Sequence, residues 1–163
     1  MNAGRAIGAE FLGTALLLLA VTGSGIMGET LAAGNAAVAL LGNSLATGAA
    51  LYVILSSLGP VSGAHLNPVV SLMAAYDGSL PAGRLVGYLL AQFGGAVAGV
   101  WTVHLMFGQS VLQVSSKARA GGPQLFSELL ATMLLLGLIR LATARGDTRI
   151  PAYVALTVHA VYW

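Results

Sequence analysis

The hydrophobic pattern along the chain is dominated by long stretches without charge. Residues 11–28, 30–76 and 85–116 contain no Asp, Glu, Lys or Arg, giving runs of 18, 47 and 32 residues. A helix of about 20 predominantly apolar residues crosses the hydrocarbon core of a bilayer, so these runs predict membrane-spanning helices. The reading places spans at about Ala6 to Met27, Ala36 to Leu58, Arg84 to Phe107 and Gln124 to Thr143, separated by charged or turn-forming residues. A fifth helix starts near Ile150 and has 14 residues before Trp163. At about 1.5 Å per residue it reaches roughly 21 Å, short of the core thickness, so the last helix is expected to be incomplete. The 47-residue uncharged run is too long for one crossing and predicts a span followed by a second membrane-embedded element.

Composition strengthens this reading: 57% of residues are hydrophobic and only 7% charged, against roughly 25% charged in a soluble domain. The expected class is therefore an all-α membrane protein, a single transmembrane domain over residues 1–163. Cysteine is absent, which excludes disulfides and thiolate chemistry. The net charge is +2, but the basic residues are scattered and form no stripe for nucleic acid. Their positions speak to orientation instead. With the N-terminus inside, Arg5, Arg84, Arg140, Arg145 and Arg149 lie at cytoplasmic ends and Lys117 and Arg119 outside, a bias of five to two that favours this topology.

A repeat is visible between the first and fourth spans. Glu10-Phe-Leu-Gly-Thr14-Ala-Leu-Leu-Leu18 matches Glu128-Leu-Leu-Ala-Thr132-Met-Leu-Leu-Leu136 at six of nine positions with an offset of 118. Helices one and four enter from opposite sides, so the expected arrangement is an inverted repeat of three helices, the first unit over about 1–110 and the second from about 120 onward.

The chemistry lies between the second and third spans, in Gly59-Pro60-Val61-Ser62-Gly63-Ala64-His65-Leu66-Asn67-Pro68-Val69-Val70. A polar segment with Gly and Pro cannot face lipid, where each unpaired backbone group costs several kcal/mol, and must line a cavity or lie inside protein. Asn67 followed by Pro68 predicts a helix start, Asn as N-cap and Pro at the first position. A half-helix of about two turns follows, up to a turn at Asp77-Gly78. An extended stretch from Gly63 to Leu66 would offer backbone carbonyls, and the Asn67 amide would offer donors, to a small polar solute. The positive end of the half-helix would oppose cations and protons. No catalytic constellation is present, no second ligand stands at metal-binding spacing from His65, and no cofactor motif is found. An enzyme is not expected.

Ser62-Gly63-Ala64-His65-Leu66-Asn67-Pro68 resembles the first pore loop of the aquaporin and aquaglyceroporin family, and Ala9-Glu10-Phe-Leu-Gly-Thr14 and Gly87-Tyr88-Leu-Leu-Ala-Gln92 resemble its flanking helices. The resemblance implies a passive channel for water, glycerol or similar neutral solutes, with six helices and two half-helices, assembled in the bilayer as a homotetramer with one pore per subunit. It implies that Glu10 and Glu128 each brace a pore loop, and that Thr47, 20 positions before Asn67, is a filter residue from the second helix. A small residue there resembles a wide filter, suited to glycerol or metalloid hydroxides such as arsenite, as in the bacterial branch associated with arsenic resistance, whose members lie in the inner membrane. His159 falls near the filter position of the fifth helix. The ring of His65 is expected to brace the loop. Gln92 is read as an interhelical hydrogen-bonding residue, Gly95 and Gly99 as a close-packing face, and His104 as interfacial. Two departures stand out. Val69 replaces the family's usual alanine, and the offset places the twin of Asn67 near position 185, outside the 163 residues. The second loop and its arginine are then missing, and the expectation is a truncated form, inactive alone or serving as a non-transporting partner of intact subunits.

Overall fold

A computed structural model describes residues 2–113 and 120–162. Lys117 and Arg119, used above for orientation, lie outside these residues, as does Trp163. The described residues form six helices and no strand: α1 Ala3–Leu31, α2 Ala36–Ser62, α3 Pro68–Tyr76, α4 Ala82–Met106, α5 Gly122–Ala144 and α6 Ile150–Ala160. Four of them have 29, 27, 25 and 23 residues and are apolar enough to cross a membrane. Large side chains such as Leu90, Leu45 and Leu125 face outward along them. In water that surface would drive aggregation; in lipid it costs nothing.

Local signals set the helix starts. Asn2, Asn35 and Asn67 cap α1, α2 and α3 through their side-chain oxygens, and proline occupies the first turn of α3, α5 and α6, where its missing N–H has no partner to lose. One expectation is corrected here: α2 does not stop at Leu58 but continues through Gly59 and Pro60 to Ser62. Pro60 forfeits one backbone bond within the helix. The helix survives because its end is fastened from outside, as described below.

α1 packs along both α2 and α4, α3 lies on α4, and α6 bridges α2 and α5. The α1–α4 contact depends on Gly95 and Gly99: a Cβ at either would collide with the carbonyl oxygens of Phe11 and Ala15. Backbone therefore meets backbone, the close approach that small residues permit between membrane helices. By contrast α5 buries only Ala142. His104, expected at the interface, is buried, with Nδ1 3.1 Å from the carbonyl oxygen of Val111, and so ties the end of α4 to the following loop.

Candidate functional site

The site begins with a carboxylate inside a span. Glu10 is fully buried in α1. Four donors converge on it: the Ser62 hydroxyl at 2.6 Å and the His65 N–H at 2.9 Å on Oε1, the Leu66 N–H at 2.8 Å and Gln92 Nε2 at 2.8 Å on Oε2. Ser62 Oγ also accepts from the Ala64 N–H at 3.0 Å. One side chain thus satisfies two backbone donors of the loop that no helix or sheet serves, which is the condition for irregular backbone at membrane depth.

The loop is not extended as expected. Gly63, Ala64 and Leu66 adopt the left-handed region, with φ of 89°, 46° and 51°. For a residue with a Cβ this conformation costs on the order of 1–2 kcal/mol. Turning the backbone this way swings consecutive N–H groups onto one anion. The interaction with Glu10 offsets the strain, and the tight C-cap at Gly63, whose N–H reaches the Gly59 carbonyl at 2.9 Å, ends α2.

Further contacts hold the half-helix to the loop. Gln92 Nε2 donates to Ser71 Oγ at 2.8 Å, and His65 Nδ1 lies 3.1 Å from the same hydroxyl. The His65 ring packs edgewise on Tyr88 with centroids 5.3 Å apart, and the Tyr88 hydroxyl donates to the Ser62 carbonyl at 2.7 Å. Gln92, His65 and Tyr88 therefore link α1, α3 and α4 around the loop. Asn67 Oδ1 accepts from the Val69 N–H at 2.8 Å, which leaves the NH2 group as the free polar end of that side chain.

A cavity of about 760 Å³ runs along this loop. Gly63, Ala64, His65, Leu66 and Asn67 line it together with Thr47. Pro68 starts α3 just behind Asn67. Val69 is 42% exposed and does not line the cavity, so its extra bulk over alanine is not felt there. His159 does not line it either; its Cβ side packs against Gly48 of α2, and its buried Nδ1 has no partner among the described residues. The cavity-facing residues of this helix are Ile150, Pro151, Val154, Val158 and, past its end, Tyr162, which sequence reasoning missed. The spacing of four from Ile150 through Val154 and Val158 to Tyr162 was the available signal, as was that of Thr47, Leu51 and Leu55 on α2. Glu128 is exposed and makes no hydrogen bond among the described residues.

Charge gathers at the other end of the cavity. Arg140 of α5 meets Asp77, at the end of α3, at 3.0 Å. Asp147 accepts from Arg149 Nη2 at 2.7 Å, from the Arg149 N–H at 2.9 Å and from the Tyr153 hydroxyl at 2.9 Å. The hydrogen bonds from Arg149 hold the Asp147 carboxyl well below the usual carboxylate range. No group of three or more His, Cys, Asp or Glu able to hold a metal occurs among the described residues. The cavity wall is thus largely apolar, with polar groups at Thr47, His65, Asn67 and the charged end.

A family model described as Major intrinsic protein matches residues 1–162. The chain is 44% identical over 155 residues to the aquaglyceroporin AqpS of Rhizobium meliloti (strain 1021), covering 95% of this chain and 66% of the relative. It is 36% identical over 141 residues to aquaporin NIP1-4 of Oryza sativa subsp. japonica, covering 85% of this chain and 50% of the relative. Over 100 residues, 61% of this chain and 36% of the relative, it is 40% identical to the lens fiber major intrinsic protein of Gallus gallus. The chain spans 66% or less of the length of each of these relatives.

Proposed function

The chain belongs to the major intrinsic protein family, and we propose that it supplies a pore loop and cavity wall of a passive transmembrane channel for small neutral solutes. The observation that carries this reading is the loop at residues 63–67, held by Glu10 along a cavity with the N-terminus of α3 behind it. That terminus bears roughly half a positive charge, which opposes cations, while carbonyl and amide groups replace the hydration of an uncharged solute. A relative named an aquaglyceroporin supports glycerol among the solutes, alongside water and uncharged metalloid hydroxides of similar size. In this reading all 163 residues form one channel domain, the first three-helix unit over about 1–110 and the next from about 120. The N-terminus is cytoplasmic, in a bacterial inner membrane, and the complete assembly is a homotetramer.

A second reading has one observation in its favour: α5 buries only Ala142 and so awaits a neighbour. In it, these 163 residues conduct nothing alone and assemble with intact subunits. Stopped-flow light scattering on proteoliposomes separates the two. Solute-dependent swelling with the full gene product supports the channel, and swelling no faster than protein-free vesicles sinks it. Co-purification of the 163-residue chain with an intact subunit, without flux of its own, favours the partner role.

A further inference from the structure

We infer that Tyr162 is a specificity-determining residue of the cavity, supplying over Thr47 the aromatic wall that a small residue at position 47 lacks. The inference rests on the channel reading above. Thr47 is 2% exposed in the chain, and both it and Tyr162 line the cavity. Their hydroxyl oxygens are 3.1 Å apart, although 115 residues separate them. The Tyr162 hydroxyl also donates to Asn43 Oδ1 at 3.0 Å. A phenol has one proton, so with that proton directed at Asn43 the contact with Thr47 is one in which Thr47 donates. Thr47 Oγ1 also lies 3.4 Å from Asn43 Oδ1, so the three side chains form one hydrogen-bonded cluster that fixes the ring at two points on α2.

Asn43 is itself held, because Ser24 Oγ on α1 lies 3.0 Å from the same Oδ1. The bridge therefore joins three elements rather than hanging from a loose end. A solute at this level meets the face or edge of the ring, flanked by Leu17, Val21, Leu51 and Val158, and not a free hydroxyl. Such a wall favours solutes with a hydrocarbon edge, small polyols above all, and limits their width. The size limit is set by the pinned ring and not by the small Thr47.

The test is the ratio of erythritol to glycerol permeability, with water measured alongside, in proteoliposomes of the full gene product. Tyr162→Ala removes the ring and is expected to raise the ratio about tenfold, the scale on which pocket size discriminates neighbouring homologues. Thr47→Val deletes the Thr47 contact, leaves the Tyr162–Asn43 bond and raises the ratio about threefold; Tyr162→Phe deletes both with little change of volume and raises it further, though less than Tyr162→Ala. The Thr47→Val/Tyr162→Phe double variant does not exceed Tyr162→Phe, which has already lost both hydrogen bonds that hold the ring. Wild-type ratios in all four variants, with flux intact, overturn the role of Tyr162 and leave the channel standing. Absence of flux for every solute in the wild type overturns the channel reading, and this inference with it.

Discussion

Replacing Glu10 by Gln changes one atom of the carboxylate and tests whether that carboxylate holds the loop. The two oxygens serve different donors, Ser62 and His65 on Oε1, Leu66 and Gln92 on Oε2. With the amide nitrogen at the first position, the Ser62 hydroxyl can rotate to accept, but the His65 N–H cannot. With the nitrogen at the second, Gln92 can flip and offer its oxygen, which is buried and unpartnered among the described residues, but the Leu66 N–H cannot turn. Either way one buried backbone donor is stranded, at about 1–3 kcal/mol, and the remaining bonds fall from charge-assisted to neutral strength. The total is about 2–4 kcal/mol, enough to outweigh the compensation for the left-handed Ala64 and Leu66. Expected outcomes are a lower melting midpoint in detergent and, in proteoliposomes of the full gene product, solute flux reduced at least about tenfold, the effect of some 1.4 kcal/mol. A Glu10→Gln variant with wild-type melting and wild-type flux refutes the reasoning. The control is Glu128→Gln in the 163-residue chain, where an exposed side chain is expected to change stability by less than about 0.5 kcal/mol.

Gly99→Ala places a methyl group against the Ala15 carbonyl of α1, a backbone atom that cannot move aside; thermal melting should fall by an amount corresponding to about 1–3 kcal/mol, the range for overpacking, whereas Gly137→Ala, with open space around it, should not. Arg140→Ala removes the ion pair with Asp77 that ties α5 to the half-helix; since Arg140 is more than half exposed the loss is about 0–1 kcal/mol, read best as faster proteolysis of α5 than as a shift in melting. Asp147 titrates below the usual carboxylate range because Arg149 favours its charged form. Its contribution is present above that usual range and is lost only as pH falls through the depressed value, so the docking of α6, followed by limited proteolysis, should not change between about pH 5 and pH 8 on its account; a transition in that window which Asp147→Asn abolishes would contradict this.

The spans were readable because charge-free length is a one-dimensional property, and Asn67-Pro68 was readable because a cap followed by proline is a local signal. What was not readable depended on partners distant along the chain. Gly63 to Leu66 reads as extended from its own residues; Ala64 and Leu66 are left-handed because a carboxylate more than 50 residues earlier collects the N–H groups of His65 and Leu66. Pro60 marks a helix end by its own preference, yet α2 runs past it because Tyr88 and Glu10 fasten Ser62. The cavity face of α6 was a matter of register. His159 stands one residue after Val158, and that step of roughly 100° turns it from the cavity to Gly48.

The same reasoning bears on how the width of such a cavity is to be judged. A single small residue such as Thr47 bounds the bore only if nothing else occupies the space it leaves, and that condition is tertiary. Here Tyr162 occupies it, held by two hydrogen bonds to α2. If the channel reading holds, selectivity is a property of the Thr47–Tyr162 pair, and changing either residue alone alters both size and polarity at one level of the wall. Substituting a bulkier residue at 47 should consequently displace the Tyr162 ring instead of narrowing the cavity further. A Thr47→Phe variant is therefore expected to admit erythritol no less well, relative to glycerol, than the wild type, and a sharp fall in that ratio would show that position 47 acts alone.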